Sequence, residues 1–324
     1  MTVFIQTRVL AQQDWLNKAL RTLLTVAPGL AFFLIKGDPL GVGFAFAALC
    51  LSVPYNDQTF RPIHLFGMAA SAGFLLPLVV SLQGHVVSYL VGFAFMGAAG
   101  VLVTRSRRLP PRVTIWSLIY LLYQSNELQN QKTAVVFALA MAPAAVWTYA
   151  VCFWIWPHRL PRPAKPETGK PLGAPLHAAC AALAMASAGA AVVIFQLSHG
   201  NWAIWSAYTV IRARRQTSLQ RSARRALGAV IGCATGFVVI EIFRDIPMIL
   251  TALTLAAVFF MVAFENYVLA VSVRSCLAPL AAIALHYDPI TTVEARFLGI
   301  AVGVILGTLF TLLFTRRETR SLAT

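Results

Sequence analysis

The chain has 324 residues, of which 59% are hydrophobic and only 11% charged, and its mean hydropathy is +0.74. A water-soluble domain covers its surface with about 25% charged residues, so this composition excludes one. The formal net charge of +15 does not indicate a nucleic-acid partner, because the basic residues sit at the ends of apolar runs and not on one face of a domain.

A membrane-spanning helix needs about 20 mainly apolar residues. In chain order the expected spans are Ala19–Ile35, Pro39–Val53, Ile63–Leu82, Val86–Val103, Val113–Tyr123 with its flanks, Thr133–Trp156, Pro175–Leu197, Trp202–Ile211 with its flanks, Ala226–Phe243, Pro247–Phe264, Val268–Leu285 and Phe297–Phe314. That is an all-α polytopic membrane protein of about twelve transmembrane helices. The second, fifth and eighth spans are short. Met1–Asn17 is mixed and polar, and the first apolar run is longer than the core of a cleavable signal, so no signal peptide is expected. The five cysteines are odd in number, widely spaced and embedded in apolar runs. They form no metal-ligand spacing and read as small core or lipid-facing residues.

Basic clusters at Arg105–Arg112, Arg159–Lys170, Arg212–Arg225 and Arg316–Arg320 flank the apolar runs. With the N-terminus in the cytoplasm, only Lys36, Lys132, Arg244 and Arg296 fall outside and Arg274 lies within a span, which leaves 21 of the 26 Lys and Arg inside. Short cytoplasmic loops carry such a Lys/Arg excess. The expected orientation therefore places both termini in the cytoplasm.

Pro157–Gly173, PHRLPRPAKPETGKPLG, is the long polar break of the chain. It reads as a cytoplasmic linker (157–173) between a first six-helix bundle (1–156) and a second (174–324). The halves repeat features about 160 residues apart. Arg61-x5-Gly67-x5-Gly73-Phe74 is echoed by Arg221-x6-Gly228-x7-Gly236-Phe237, and each half ends in an apolar helix running into a basic stop. An even number of helices per repeat makes the two six-helix repeats parallel, related by an axis along the membrane normal.

Asn201–Phe237 carries the most chemistry. A short aromatic helix with Trp202, Trp205 and Tyr208 is expected to enter from outside. It leads to a polar loop with six arginines, Arg212 among them, and then to a helix with Gly228, Gly232 and Gly236 on one face. Small residues at that spacing let helices pack closely. Arg274 is the one arginine well inside an expected span, with Glu265 just before that span. Charge at such depth handles substrate or ions, or else pairs or snorkels for packing. Lys18 and Arg21 lie one turn apart on the first helix and serve as cytoplasmic anchors or as substrate contacts. The loop Tyr55–Arg61 holds Asp57, and His64 follows one turn into the next helix; the two carry protons, or the loop is a solvated turn in which Asp57 caps that helix, which is the plainer reading for His64. Trp202, Trp205, Tyr208 and Trp116 line a path for aromatic rings or form an interfacial belt.

The Trp-led short helix, the loop and Arg-x3-Leu-Gly-x3-Gly resemble the fusaric acid resistance-like family of inner-membrane proteins, which includes aromatic carboxylic acid exporters. Lys18-Ala-Leu-Arg21-Thr-Leu-Leu and Arg296-Phe-Leu-Gly299-x3-Gly303-x3-Gly307 resemble the first and last helices of that family. Many members carry a large cytosolic domain, and this chain resembles a compact form without one. The resemblance implies an efflux pump for aromatic or related organic acids and a periplasmic membrane-fusion adaptor on another chain. No Walker loop, GxSxG, HExxH or paired-carboxylate motif is present, so neither an enzyme nor direct use of ATP is expected. The expected mechanism is proton-driven antiport by alternating access between the halves. Small organic anions, protons, the adaptor and membrane lipids are then the partners; no cofactor, metal or nucleic acid is expected, and assembly with further copies of the chain is compatible with this reading. The alternatives are a passive organic-anion channel and a non-transporting membrane scaffold for an envelope assembly.

Overall fold

The computed structural model describes residues 2–56, 60–82, 85–105, 111–127, 131–157, 172–212, 214–243, 246, 266–284 and 288–321. Among these residues the chain is helical. The α-helices are α1 Thr2–Lys36, α2 Pro39–Ser52, α3 Pro62–Leu82, α4 Val86–Arg105, α5 Pro111–Glu127, α6 Gln131–Tyr149, α7 Ala174–Ile194, α8 Asn201–Val210, α9 Arg215–Phe243, α10 Tyr267–Ala284 and α11 Pro289–Ser321. A 3-10 turn, Val53–Asn56, follows α2, and a π-helical segment, Ala150–Ile155, continues α6. Eleven of the twelve expected spans are helices. The remaining one, Pro247–Phe264, lies outside the described residues, as do Asp57, Glu265 and the linker from 158 to 171. Seven helices are long and apolar enough to cross a membrane, and α2, the stretch Val113–Leu122 of α5 and the stretch Tyr267–Leu277 of α10 are shorter apolar helices. The chain is a multi-pass membrane protein.

Two boundaries differ from the expected ones in a way that matters for function. The stretch Arg212–Arg225 reads as a loop, yet α9 begins at Arg215. Nothing from Arg215 to Leu227 is Gly or Pro, and Arg, Gln, Leu and Ala favour helix, so the helix extends beneath the arginines. Likewise α11 begins at Pro289, with Asp288 accepting a hydrogen bond from the Thr291 N–H at 2.9 Å. Proline suits the first helical position and Asp the cap, and Arg296 is thereby lifted two turns into the helix.

The described chain forms two compact units. The first contains α1, α2, α3, α5 and α6; the second contains α4 and α7 to α11. In the first unit α2 is the central helix, packed on α1, α5 and α6. Gly29 of α1 and Gly41 of α2 meet backbone to backbone, and Gly43 lies against the Phe137 ring of α6. In the second unit α4, which the sequence groups with the first bundle, packs along α7. A Cβ on Gly97 would lie 2.8 Å from the Ala181 carbonyl oxygen. The small-residue face Ala178, Ala181, Ala184 and Ala188 of α7 permits this approach, and a reading of polar breaks along the chain does not detect such a seam.

The second unit is built around α8, every residue of which is buried. Ten residues span about 15 Å, half of the roughly 30 Å hydrocarbon core. Gly299, Gly303 and Gly307 of α11 face it: a Cβ would strike Trp202 Cβ at 2.9 Å from Gly299 and the Ala207 carbonyl at 2.7 Å from Gly307. Gly228, Gly232 and Gly236 of α9 face α10 in the same manner, with Val268 O 2.8 Å from a Cβ at Gly228 and Cys276 O 3.1 Å from one at Gly236. A buried half-length helix must satisfy its end groups locally. At its C-terminal end the Ser218 hydroxyl donates to the Val210 carbonyl at 2.7 Å and lies 3.2 Å from the Thr311 hydroxyl. One turn further along α9, Thr308 donates to Ser222 at 2.7 Å.

Candidate anion site

Three arginines converge on the aromatic side chains of the second unit. Arg296 of α11 is 2% exposed, and its Cζ lies 3.3 Å from the centroid of the Trp202 ring. Its Nε and Nη1 are buried and have no hydrogen-bond partner among the described residues. Arg225 of α9, also 2% exposed, stands 4.6 Å from the Trp205 centroid. It donates through Nη2 to the Ser206 hydroxyl at 2.9 Å and through Nη1 to the Tyr267 hydroxyl at 3.2 Å. Arg221, one turn earlier on α9, stacks on the Tyr267 ring at 3.4 Å. Trp202 and Trp205 are 6.0 Å apart between centroids. One turn of α8 thus presents two indole faces, each covered by a guanidinium from a different helix.

The local sequence explains the arrangement. Positions 202 and 205 are three apart and so share a helix face. The Gly303 approach brings α11 onto α8, and Arg296 sits two turns before Gly303 on the same helix. Arg221 and Arg225 are four apart on α9 and project together.

The energetics are unbalanced in an informative way. A desolvated cation–π pair contributes about 2 kcal/mol, whereas a buried ion without a counter-charge costs several kcal/mol. An indole face also accepts none of the in-plane N–H bonds of a guanidinium. Arg225 offsets part of this cost with its two hydroxyl acceptors; Nε and Nη1 of Arg296 have no such acceptor among the described residues. The cations, the N–H donors left unpartnered among the described residues and the aromatic walls suit a planar anion chemically, since carboxylates accept paired N–H donors from arginine.

The candidate residues read from sequence distribute as follows. Trp205 and Tyr208 are buried on α8, and Arg212 follows its C-terminal end, donating from Nη1 to the Ile211 carbonyl at 2.8 Å. Arg274 on α10 is half-buried and within electrostatic range of Arg221. Arg21 lies in the first unit, 2% exposed, with its Cζ 4.6 Å from the Tyr55 ring centroid. His64 accepts from the Arg61 N–H at 3.0 Å and so caps the start of α3. Gly228, Gly232 and Gly236 sit at the α9–α10 contact described above. The reading of Arg274 as the one deep arginine misses Arg225 and Arg296, because both were assigned to helix ends. The signal for Arg296 was present in the sequence: Arg296, Gly299, Gly303 and Gly307 fall on one helical stripe, so the arginine faces whatever the glycines pack against.

Residues 183–310 match the model of a family described as fusaric acid resistance protein-like, the family that the sequence resembles. The match runs from within α7 to within α11 and includes Trp202, Trp205, Arg221, Arg225 and Arg296. Neither a curated protein nor a solved structure matches the chain.

Proposed function

We propose that this protein is an inner-membrane efflux transporter for aromatic carboxylic or related organic acids, driven by protons and working with a periplasmic adaptor. The observation that carries the reading is Arg296, a buried guanidinium stacked on Trp202 whose Nε and Nη1 have no hydrogen-bond partner among the described residues. An aromatic carboxylate supplies what the site lacks: a ring for the indole faces and an anion for the arginine. The similarity to the fusaric acid resistance protein-like family supports the same class of activity. Trp205, Tyr208, Arg212, Arg225 and Arg274 form the remainder of the path, with Arg21, Asp57 and Glu265 as further stations.

Twelve helices in two parallel repeats provide the frame for alternating access. The matching order of a long helix before a short buried one in both units, α1–α2 and α7–α8, favours the repeat, as does the packing of the short helix on the last helix of its half, α6 or α11. The test of function is efflux of several aromatic acids from preloaded cells at matched protein level. Arg296→Gln should insert normally and abolish export, and collapse of the proton gradient should stop the wild type. Wild-type export by the Gln variant removes the site from the reading. Export that persists without a proton gradient identifies a passive channel. Topology is tested on a Cys-free variant with single cysteines at Lys165 or Asn130. An impermeant reagent applied to intact cells should label position 130 and not 165.

A further inference from the structure

The second unit holds a group of side chains in which Arg212 alone is shared with the proposed transport path. His177 lies in the first turn of α7, Arg105 is the last residue of α4, and Arg212 follows α8. Both imidazole nitrogens of His177 are sealed from solvent and have no hydrogen-bond partner among the described residues. At least one of them carries a proton at any pH, so a donor or an acceptor is left unmet on each. Arg105 donates from Nη2 to the Leu172 carbonyl, which ties the end of α4 to the entry of α7, while its Nε is buried and unpartnered among the described residues. The charges of Arg105 and Arg212 both act on His177. The first turn of α7 receives no side-chain cap, and its N-terminal dipole adds to the positive potential there.

We propose that His177, Arg105 and Arg212 bind a phosphate-type oxyanion at the N-terminal end of α7, at a site separate from the Arg296–Trp202 receptor. Two cations whose charges act on an imidazole with nitrogens unpartnered among the described residues form an incomplete group, and an oxyanion completes it by accepting from the imidazole N–H and from Arg105 Nε while neutralising the guanidinium charge. The donors arrive from three separate elements and not from one planar fork, which suits a tetrahedral anion better than a flat carboxylate. The phosphate comes either from solution or from the headgroup of an anionic lipid, since basic pockets between transmembrane helices take such headgroups.

The experiment uses the purified full chain at neutral pH. One arm measures thermal unfolding in detergent with sodium phosphate against sodium chloride at equal ionic strength. A second arm measures it in phosphatidylcholine nanodiscs with and without phosphatidylglycerol. At least one probe should stabilise the wild type; a response to phosphate alone assigns the free anion, and a response to phosphatidylglycerol alone assigns the lipid. His177→Leu and Arg105→Gln should each weaken the responding probe about tenfold, the effect of losing about 1.4 kcal/mol. Arg296→Gln should leave the response intact. If His177→Leu does not fold, His177→Phe and Arg105→Gln provide the comparison. The proposal is overturned if neither probe stabilises the wild type, if the folded variants respond as the wild type does, or if Arg296→Gln is the change that removes the response.

Discussion

The short helices α2 and α8 are each the buried centre of a unit, and they use their burial differently. α2 reads PLGVGFAFAALCLS and offers no charged residue and little hydrogen-bonding capacity. Its neighbours Gly29 and Phe137 pack against glycines 41 and 43 of its sequence. The cation beside it, Arg21, lies over Tyr55 in the 3-10 turn that follows. α8 reads NWAIWSAYTV and draws Arg225 and Arg296 onto its two tryptophans. Glycine contacts fasten both helices, so close packing is the shared device. Buried nitrogen donors without partners occur on arginines beside α8 and, among the described residues of the first unit, on none. Packing alone therefore does not require the charges around α8, which is why the proposed anion site is placed in the second unit.

The largest expected effect tests the shared device. Gly303→Leu places a side chain into the α8 backbone at Ala203, and Gly41→Leu does the same at the α1–α2 contact. Overpacking of this kind costs about 1–3 kcal/mol where neighbours can yield, and more where the obstacle is backbone. Both variants should fail to give a monodisperse peak in detergent. A well-folded Gly303→Leu protein would show that α11 does not rest on α8.

The next effect separates the two helices. Arg296→Gln should abolish export while thermal stability in detergent stays equal or rises, because an uncompensated buried charge is removed. Arg296→Lys should keep part of the activity, since the charge remains and the planar fork is lost. Arg21→Gln should lower export less than Arg296→Gln. Equal losses at matched expression would make the first unit a full partner in substrate handling and erase the contrast.

A smaller effect concerns how Arg225 is held. Ser206→Ala removes the acceptor 2.9 Å from Nη2 and leaves a buried charged donor unmet, a cost of about 1–3 kcal/mol. A lowered melting temperature with export reduced but present is the expected result; an unchanged melting temperature would show that Tyr267 alone positions the guanidinium.

The smallest effect lies outside the membrane. The Thr291 backbone and hydroxyl groups hold the Asp288 carboxyl below its ordinary range. A carboxylate with a depressed folded-state pKa contributes stability above its unfolded value, about 4, and loses that contribution as the pH falls through the folded value. Asp288→Asn should therefore flatten a shallow acid limb in a melting profile and leave neutral-pH export unchanged.

Much of the frame was legible in one dimension because the bilayer enforces it. Apolar length is read directly off the chain, and the helices follow it closely, from Pro62–Leu82 to Ala174–Ile194. The glycines at 228, 232 and 236 were visible as a face, although the partner they meet on α10 was not. Trp205 and Tyr208 stood out as aromatic residues on a short helix, but an interfacial belt and a buried pair of platforms have the same sequence pattern. Arg225 and Arg296 were misplaced for one reason: charge marks the end of a span in a linear reading, and a helix of good formers can carry the charge into the core when a partner ring waits there.

The amino-acid sequence by itself determined that the chain is helical and crosses a membrane many times, where its long polar break falls, and which residues carry charge, because hydrophobic length and helix propensity are local quantities. Only the tertiary structure decided that α4 packs with α7, that α8 is wholly buried, and that guanidinium groups from α9 and α11 stack on its indoles. Those outcomes depend on which small-residue faces meet, and close backbone approach between distant segments has no signature in the spacing of either segment alone.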